Sequence, residues 1–152
     1  MSSSSIDRPR LPAAARLLAA LVAVGAAVLL GVSAGLSAAD EGHGTHEQLG
    51  LPACTWAKQF DAPCMTCGMT TAFTHAADGD LVSSFVTQPM GMLLAVLTAA
   101  GFWVALHAAI TGSLLAPLLA RLLTGRTLIV AGVLAAAAWG YKLLVWNSGA
   151  GT

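Results

Sequence analysis

The chain has 152 residues, a mass of 15.3 kDa and a formal net charge of zero. Hydrophobic residues make up 57% of it and charged residues only 9%, whereas an ordinary globular chain has roughly 25% charged residues. The mean hydropathy is +0.76. This composition excludes a disordered chain and argues against a soluble protein, and the lack of a basic excess excludes a nucleic-acid-binding domain.

Three long apolar segments, rich in Ala and Leu, follow one another along the chain. They occupy residues 17–39, 90–111 and 127–146. A helix needs about 20 apolar residues to cross a bilayer. The sequence therefore predicts an all-α integral membrane protein with three transmembrane helices, at 13–39, 89–111 and 127–147.

The ionic residues predict how these helices are oriented. Basic residues precede the first segment and separate the second from the third, whereas six of the seven acids lie in the loop 40–88. Because Lys and Arg accumulate in cytoplasmic loops, we predict a cytoplasmic N-terminus and an extracytoplasmic C-terminus. The cytoplasmic parts are then a disordered tail at 1–12 and a loop at 112–126, and the outer parts are the loop 40–88 and a tail at 148–152.

The first apolar segment allows a second interpretation. Ser37-Ala38-Ala39, just before Asp40, resembles the small-residue cleavage site of a signal peptide. The segment is longer than the apolar region of a signal peptide, of roughly 7–15 residues. A retained helix is the favoured interpretation, and the loop 40–88 is outside in either case.

The outer loop has two predicted parts. Residues 40–49 are polar and glycine-rich and are expected to form a linker. Residues 68–88 show helical spacing of apolar residues, interrupted by the turn signal Asp78-Gly79, with Asp80 in a capping position. We predict two short amphipathic helices at the outer membrane surface, with one bent helix as the alternative.

All three cysteines lie in this outer loop, at Cys54, Cys64 and Cys67, with the spacing C-x9-C-x2-C. Cys64 and Cys67 come just before the first predicted short helix. The positive end of a helix dipole lowers the pKa of nearby thiols, which suits both metal binding and thiol exchange.

The run from Cys54 to Phe73 resembles the signature of a family of small bacterial membrane proteins catalogued as domain of unknown function 2752. The matching residues are Cys54, Pro63, Cys64, Cys67, Gly68, Thr70 and the pair Gly79-Asp80. The departures are Met65 for a proline, Thr71 for an arginine, and Gln88-Pro89 for an Asn-Pro pair. The resemblance implies a helical membrane protein with an outer cysteine site, and no activity.

Three interpretations of the cysteines remain open. A structural disulfide would join Cys54 to Cys64 or Cys67, since disulfides persist outside the cytoplasm. A metal site would use all three cysteines with His75, or with His43 or His46, as the fourth ligand. Zinc suits that set, and the sulfur atoms of Met65 and Met69 would favour copper(I). Thiol–disulfide exchange would use Cys64 and Cys67.

The remaining ionisable residues have simpler interpretations. His43 and His46 are expected in the polar linker, and His107 is expected to form a hydrogen bond near the cytoplasmic end of the second helix. Lys142, beside Tyr141, is expected to reach the outer headgroups with its long side chain.

The sequence contains no recognisable enzyme motif. Small residues repeat every fourth position in all three apolar segments, which favours close packing within the chain, against a membrane-protein partner or in a homo-oligomer. We therefore predict a small bacterial membrane protein that acts as an accessory or interaction component, with a metal-binding or disulfide-bonded outer motif. The alternative is a membrane thiol–disulfide oxidoreductase that uses Cys64 and Cys67.

Overall fold

The computed structural model describes residues 10–115 and 124–147, without the side chains of Lys58 and Asn147. The predicted tail 148–152, most of the tail 1–12 and the middle of the loop 112–126 lie outside these residues. Within them the chain is helical. Its elements are α1 (Ala13–Ala34), a 3-10 helix (Thr45–Leu49), α2 (Thr55–Phe60), α3 (Met69–Ala77), α4 (Leu81–Thr87), α5 (Pro89–Thr111) and α6 (Gly125–Asn147).

Three of these helices, α1, α5 and α6, are long and apolar enough to cross a membrane. The prediction of an all-α protein with three such helices is confirmed. Most of their large side chains face outward. Leu128, Ile129 and Val133 near the start of α6, for example, are each more than 60% exposed. That pattern suits helices whose solvent is lipid rather than water.

Helices α1 and α5 pack against each other through small residues. Ala19 and Ala23 of α1 and Ala105 and Ala108 of α5 are buried, which lets the two backbones approach closely. Not all of the predicted small-residue positions are used in this way, since Gly101 of α5 has open space around it.

Arg16 fixes the end of this helix pair. Its guanidinium donates from Nε to the carbonyl of Ala109 at 3.0 Å and from Nη2 to the carbonyl of Ile110 at 2.8 Å. Nearby, the backbone N–H of Leu11 donates to the carbonyl of Gly112 at 2.9 Å. A cation at the C-terminal end of α5 satisfies its free carbonyls and is favoured by the helix dipole.

The two predicted short helices are present as α3 and α4, separated by a turn at Gly79. The carboxylate of Asp80 accepts the backbone N–H of Ser83 at 2.9 Å, as expected of a capping residue. Hydrogen bonds from the side chain and then the backbone of Ser83 lower the pKa of Asp80. Ser84 Oγ donates to the carbonyl of Ala72 at 2.6 Å and joins the two helices. Ala72 is buried against α5, so α3 is an internal helix, whereas α4 exposes its apolar residues.

The predicted linker is partly ordered structure. Thr45, the first residue of the 3-10 helix, is fully buried. Its hydroxyl accepts the backbone N–H of Ala39 at 3.0 Å and shares a 2.8 Å hydrogen bond with the hydroxyl of Thr71 on α3. The segment therefore packs onto α3, and this packing places His43 and His46 on the same cleft as the cysteines.

Candidate functional site

The candidate site is a cleft of about 630 Å³ at the end of the protein opposite Arg16. It lies between the segment 41–47, the start of α2, the turn before α3 and the C-terminal end of α6. Among the side chains that line it are Cys54, Cys64, Cys67, His43 and His46. The chain therefore brings together three thiols and two imidazoles from three separate segments.

Two of the three thiols are in direct contact. The sulfur atoms of Cys54 and Cys64 are 3.7 Å apart, and the sulfur of Cys64 is 3.5 Å from Thr66 Oγ1. The backbone N–H of Cys67 donates to the carbonyl of Cys64 at 3.0 Å, which folds the C-x2-C segment into a turn. All three cysteines are free thiols in the structure.

The surroundings shift the pKa values of two of the thiols in opposite directions. The backbone N–H of Ala57, at the start of α2, lowers the pKa of Cys54 and outweighs the effect of partial burial. Burial, assisted by the charge of Cys64, raises the pKa of Cys67 to about 11. The expectation that the helix dipole would lower the thiol pKa is wrong for Cys67, because loss of hydration dominates.

Helix α6 binds the cysteine loop, residues 54–67, through hydrogen bonds donated by its polar side chains. Trp139 Nε1 donates to the carbonyl of Pro63 at 3.1 Å, and Trp146 Nε1 donates to the carbonyl of Asp61 at 3.1 Å. Both tryptophans lie on the same face of α6 as Lys142, at positions i, i+3 and i+7. These bonds pair loop carbonyls that would otherwise lack a partner next to an apolar helix.

Lys142 departs from its predicted place among the headgroups. It is only 6% exposed. Its ammonium donates to the carbonyls of Gly42 at 3.3 Å and Thr87 at 3.1 Å, and thereby links the segment before the 3-10 helix to the end of α4. The prediction of a headgroup contact is wrong because these two carbonyls lie beside α6 and accept hydrogen bonds from the ammonium.

Gln88 is a second residue whose contribution the sequence did not reveal. It is 1% exposed, it immediately precedes Pro89 at the start of α5, and its side-chain Nε2 donates to the carbonyl of Met65 at 3.3 Å. The amide therefore connects the turn between Cys64 and Cys67 to the second spanning helix. The sequence signal that could have identified Gln88 was its position, which is equivalent to that of the asparagine in the Asn-Pro pair of the family.

The four histidines are placed differently. The ring of His43 lies edge-on to Trp146, with centroids 4.9 Å apart, and His46 Nε2 is 3.3 Å from the carbonyl of Pro52. His75 lies on α3 and is not among the residues that line the cleft. His107 is exposed near the opposite end of α5.

The fit to a metal ion is incomplete. Within residues 10–115 and 124–147, no three His, Cys, Asp or Glu side chains are grouped closely enough to hold an ion. The contact between Cys54 and Cys64 supplies two sulfur ligands, and a full set would require His43 or His46 to move toward them.

These features define a class: small helical membrane proteins with three helices long and apolar enough to span a membrane and a cysteine loop attached to the third. The model of the family described as Protein of unknown function (DUF2752) matches residues 54–103, which confirms the resemblance seen in the sequence. The match covers the cysteine loop and most of α5, and α1 and α6 lie outside it. No curated protein and no solved structure matches the chain.

Proposed function

We propose that this protein is an accessory component of a bacterial inner membrane whose outer cysteine loop is closed by a disulfide between Cys54 and Cys64. The observation that carries the proposal is the 3.7 Å contact between their sulfur atoms. Formation of the bond requires the two sulfur atoms to approach to a distance of about 2.05 Å. The two thiols would lose two electrons and two protons to the disulfide of a thiol oxidase in the outer compartment.

The disulfide would stabilise the loop that anchors α6. Closing a loop of this length contributes roughly 3 kcal/mol in the chain-entropy model. The enclosed segment includes Asp61 and Pro63, whose carbonyls accept the bonds from Trp146 and Trp139. Neither exchange between Cys64 and Cys67 nor a disulfide from Cys54 to Cys67 is favoured, because Cys67 is buried and its pKa is about 11.

A thiol count tests this proposal. Protein purified under non-reducing conditions and then denatured should expose one reactive thiol per chain, Cys67, and three after reduction. Cys54→Ser should expose two thiols before reduction, since Cys64 would lose its partner, and Cys67→Ser should expose none. Three thiols in the unreduced wild-type protein would contradict the disulfide.

A metal site is the second candidate, supported by the presence of His43 and His46 beside the three cysteines in one cleft. Zinc or copper would be held by Cys54, Cys64 and Cys67 with one of these imidazoles. His75 is less suitable than either, since it does not line the cleft. In the same experiment this candidate requires three thiols and about one bound ion per chain before reduction, as measured by elemental analysis.

The proposed orientation places Arg16 and the N-terminus in the cytoplasm and the cysteine loop and C-terminus outside. The bonds from Arg16 to the end of α5 also favour a retained first helix, since cleavage after Ala39 would remove them. Topology reporters fused to each end should report a cytoplasmic N-terminus and an outer C-terminus on a full-length chain. Both ends on one side, or a mature chain that begins at Asp40, would contradict this orientation.

A partner within the membrane is supported by small residues that the monomer leaves uncovered. A side chain added at Gly31, Gly101 or Gly132 would meet no atom within 4 Å. Such open positions on α1, α5 and α6 allow another helix to approach closely. We therefore infer association with a membrane-protein partner or a second copy of this chain.

A further inference from the structure

We propose that Cys54 and Cys64 form an exchange-active dithiol whose substrate is a disulfide carried by an apolar polypeptide segment. The inference rests on the Cys54–Cys64 disulfide proposed above and adds that this disulfide also forms by reduction of a substrate disulfide, after a dithiol reductant of the same compartment has returned the pair to its thiol form. It differs from exchange at the C-x2-C motif because it assigns the reactive pair across the loop and leaves Cys67 out.

The geometry assigns the attacking sulfur to Cys54. Cys54 precedes α2 and lines the cleft together with Ala57, whose backbone N–H approaches its sulfur. The pKa of Cys54 is lowered by this contact, so a larger fraction of its thiol is ionised at neutral pH. Cys64 is within 3.7 Å, which is the position required of a resolving thiol.

Three exposed apolar side chains that are close in sequence to this pair indicate the substrate. Trp56 and Phe60 on α2 are 52% and 58% exposed, and their rings are 4.7 Å apart. Met65, directly after Cys64, is 57% exposed. Large apolar side chains next to reactive thiols favour binding of an apolar chain segment, because contact would remove them from water.

The reaction balances without a cofactor. The Cys54 thiolate attacks one sulfur of the substrate disulfide, forms a mixed disulfide and releases the other sulfur as a thiolate, which takes up a proton. Cys64 then loses its proton, attacks the Cys54 sulfur and releases the second substrate thiol. Two electrons pass from the protein dithiol to the substrate, and the Cys54–Cys64 disulfide forms.

The first test compares the three thiols in the reduced wild-type protein. Brief alkylation by iodoacetamide, followed by mass spectrometry of each cysteine, should modify Cys54 at least about tenfold faster than Cys67 at neutral pH, since the ionised fraction outweighs the lower nucleophilicity of the less basic thiolate. Equal rates at Cys54 and Cys67 would overturn the inference.

The second test traps the intermediate. Cys64→Ser, incubated with a leucine-rich peptide joined by a disulfide to glutathione, should accumulate a mixed disulfide on Cys54. Cys67→Ser, reduced beforehand and freed of reductant, should instead release the peptide and form the internal disulfide. A serine-rich peptide with the same disulfide should react about fivefold more slowly, and Trp56→Ala should remove this preference.

The outcomes separate the two proposals. If the thiol count shows the Cys54–Cys64 disulfide but Cys64→Ser traps no peptide, the disulfide is structural, and only the exchange inference is overturned. If Cys64→Ser reacts equally with both peptides, exchange is retained and apolar recognition is overturned. If the wild-type protein shows no disulfide between these cysteines, the function proposed above fails first.

Discussion

Gly68→Ala should lower the free energy of unfolding by about 3 kcal/mol, the larger of two effects expected from added methyl groups. Gly68 has a φ of +81°, in the left-handed region that costs other residues about 1–2 kcal/mol. A Cβ there would also lie 2.7 Å from the carbonyl oxygen of Gly42 and 3.2 Å from Lys142 Nζ. Backbone atoms cannot yield at that distance, so α3 or the bond from Lys142 to Gly42 must shift.

Gly79→Ala is the matched control for Gly68→Ala. Gly79 has a φ of +83° and nothing within 4 Å of an added Cβ, so its substitution carries the conformational cost alone, about 1 kcal/mol. The measurement is unfolding of the detergent-solubilised protein by a chemical denaturant, followed by circular dichroism. Equal destabilisation by the two substitutions would show that the close approach of Gly42 to Gly68 does not add to the loss of stability.

Gly91→Ala should lower the free energy of unfolding by about 2 kcal/mol. Gly91 lies in the first turns of α5, and a Cβ there would be 2.8 Å from the Cβ of Ala72 on α3. Because both elements are helices with buried backbones, the methyl group would push α3 away from α5. The Ser84 bond to the carbonyl of Ala72 would be strained as well.

Gly101→Ala tests the same substitution on the same helix without a neighbour. An added Cβ at Gly101 meets nothing within 4 Å, so we expect no loss of stability and a small gain from better helix propensity. The same denaturation measurement applies. If Gly101→Ala destabilises the protein as much as Gly91→Ala, the contact between α3 and α5 is not the cause.

The helices could be predicted because their signals are local. Three apolar segments of sufficient length predicted the helices that can span a membrane. Asp80 predicted the start of α4, because its cap involves only Ser83, three residues later. The resemblance seen in the run from Cys54 to Phe73 agrees with the family model that matches residues 54–103. Each of these signals is contained in a short stretch of sequence, so no knowledge of tertiary contacts was required.

The construction of the cleft could not be predicted, because it depends on side chains that donate to distant backbone carbonyls. Trp139 bonds to a residue 76 positions away, and Lys142 bonds to one 100 positions away. A carbonyl acceptor exists at every residue and therefore leaves no signature in the sequence. The only available signal was the spacing of Trp139, Lys142 and Trp146 on one face of an otherwise apolar helix.

The packing of Thr45 illustrates the same limit. A threonine between glycines in a polar stretch is typical of a linker, and the partner that buries it, Thr71, is 26 residues later. The pKa of Cys67 is a related case, since burial of its thiol outweighed the helix dipole and could be seen only once the fold was known.

The attachment of α6 has a consequence for how the protein is made. The acceptor carbonyls, at Gly42, Asp61, Pro63, Val86 and Thr87, are all synthesised before the donors on α6. A nascent chain that has released only α1 and α5 from the ribosome therefore has a cysteine loop whose carbonyls still lack their donors on α6. Biogenesis is completed when the third helix inserts, so a chain truncated before α6 should resemble an assembly intermediate open to quality-control proteases.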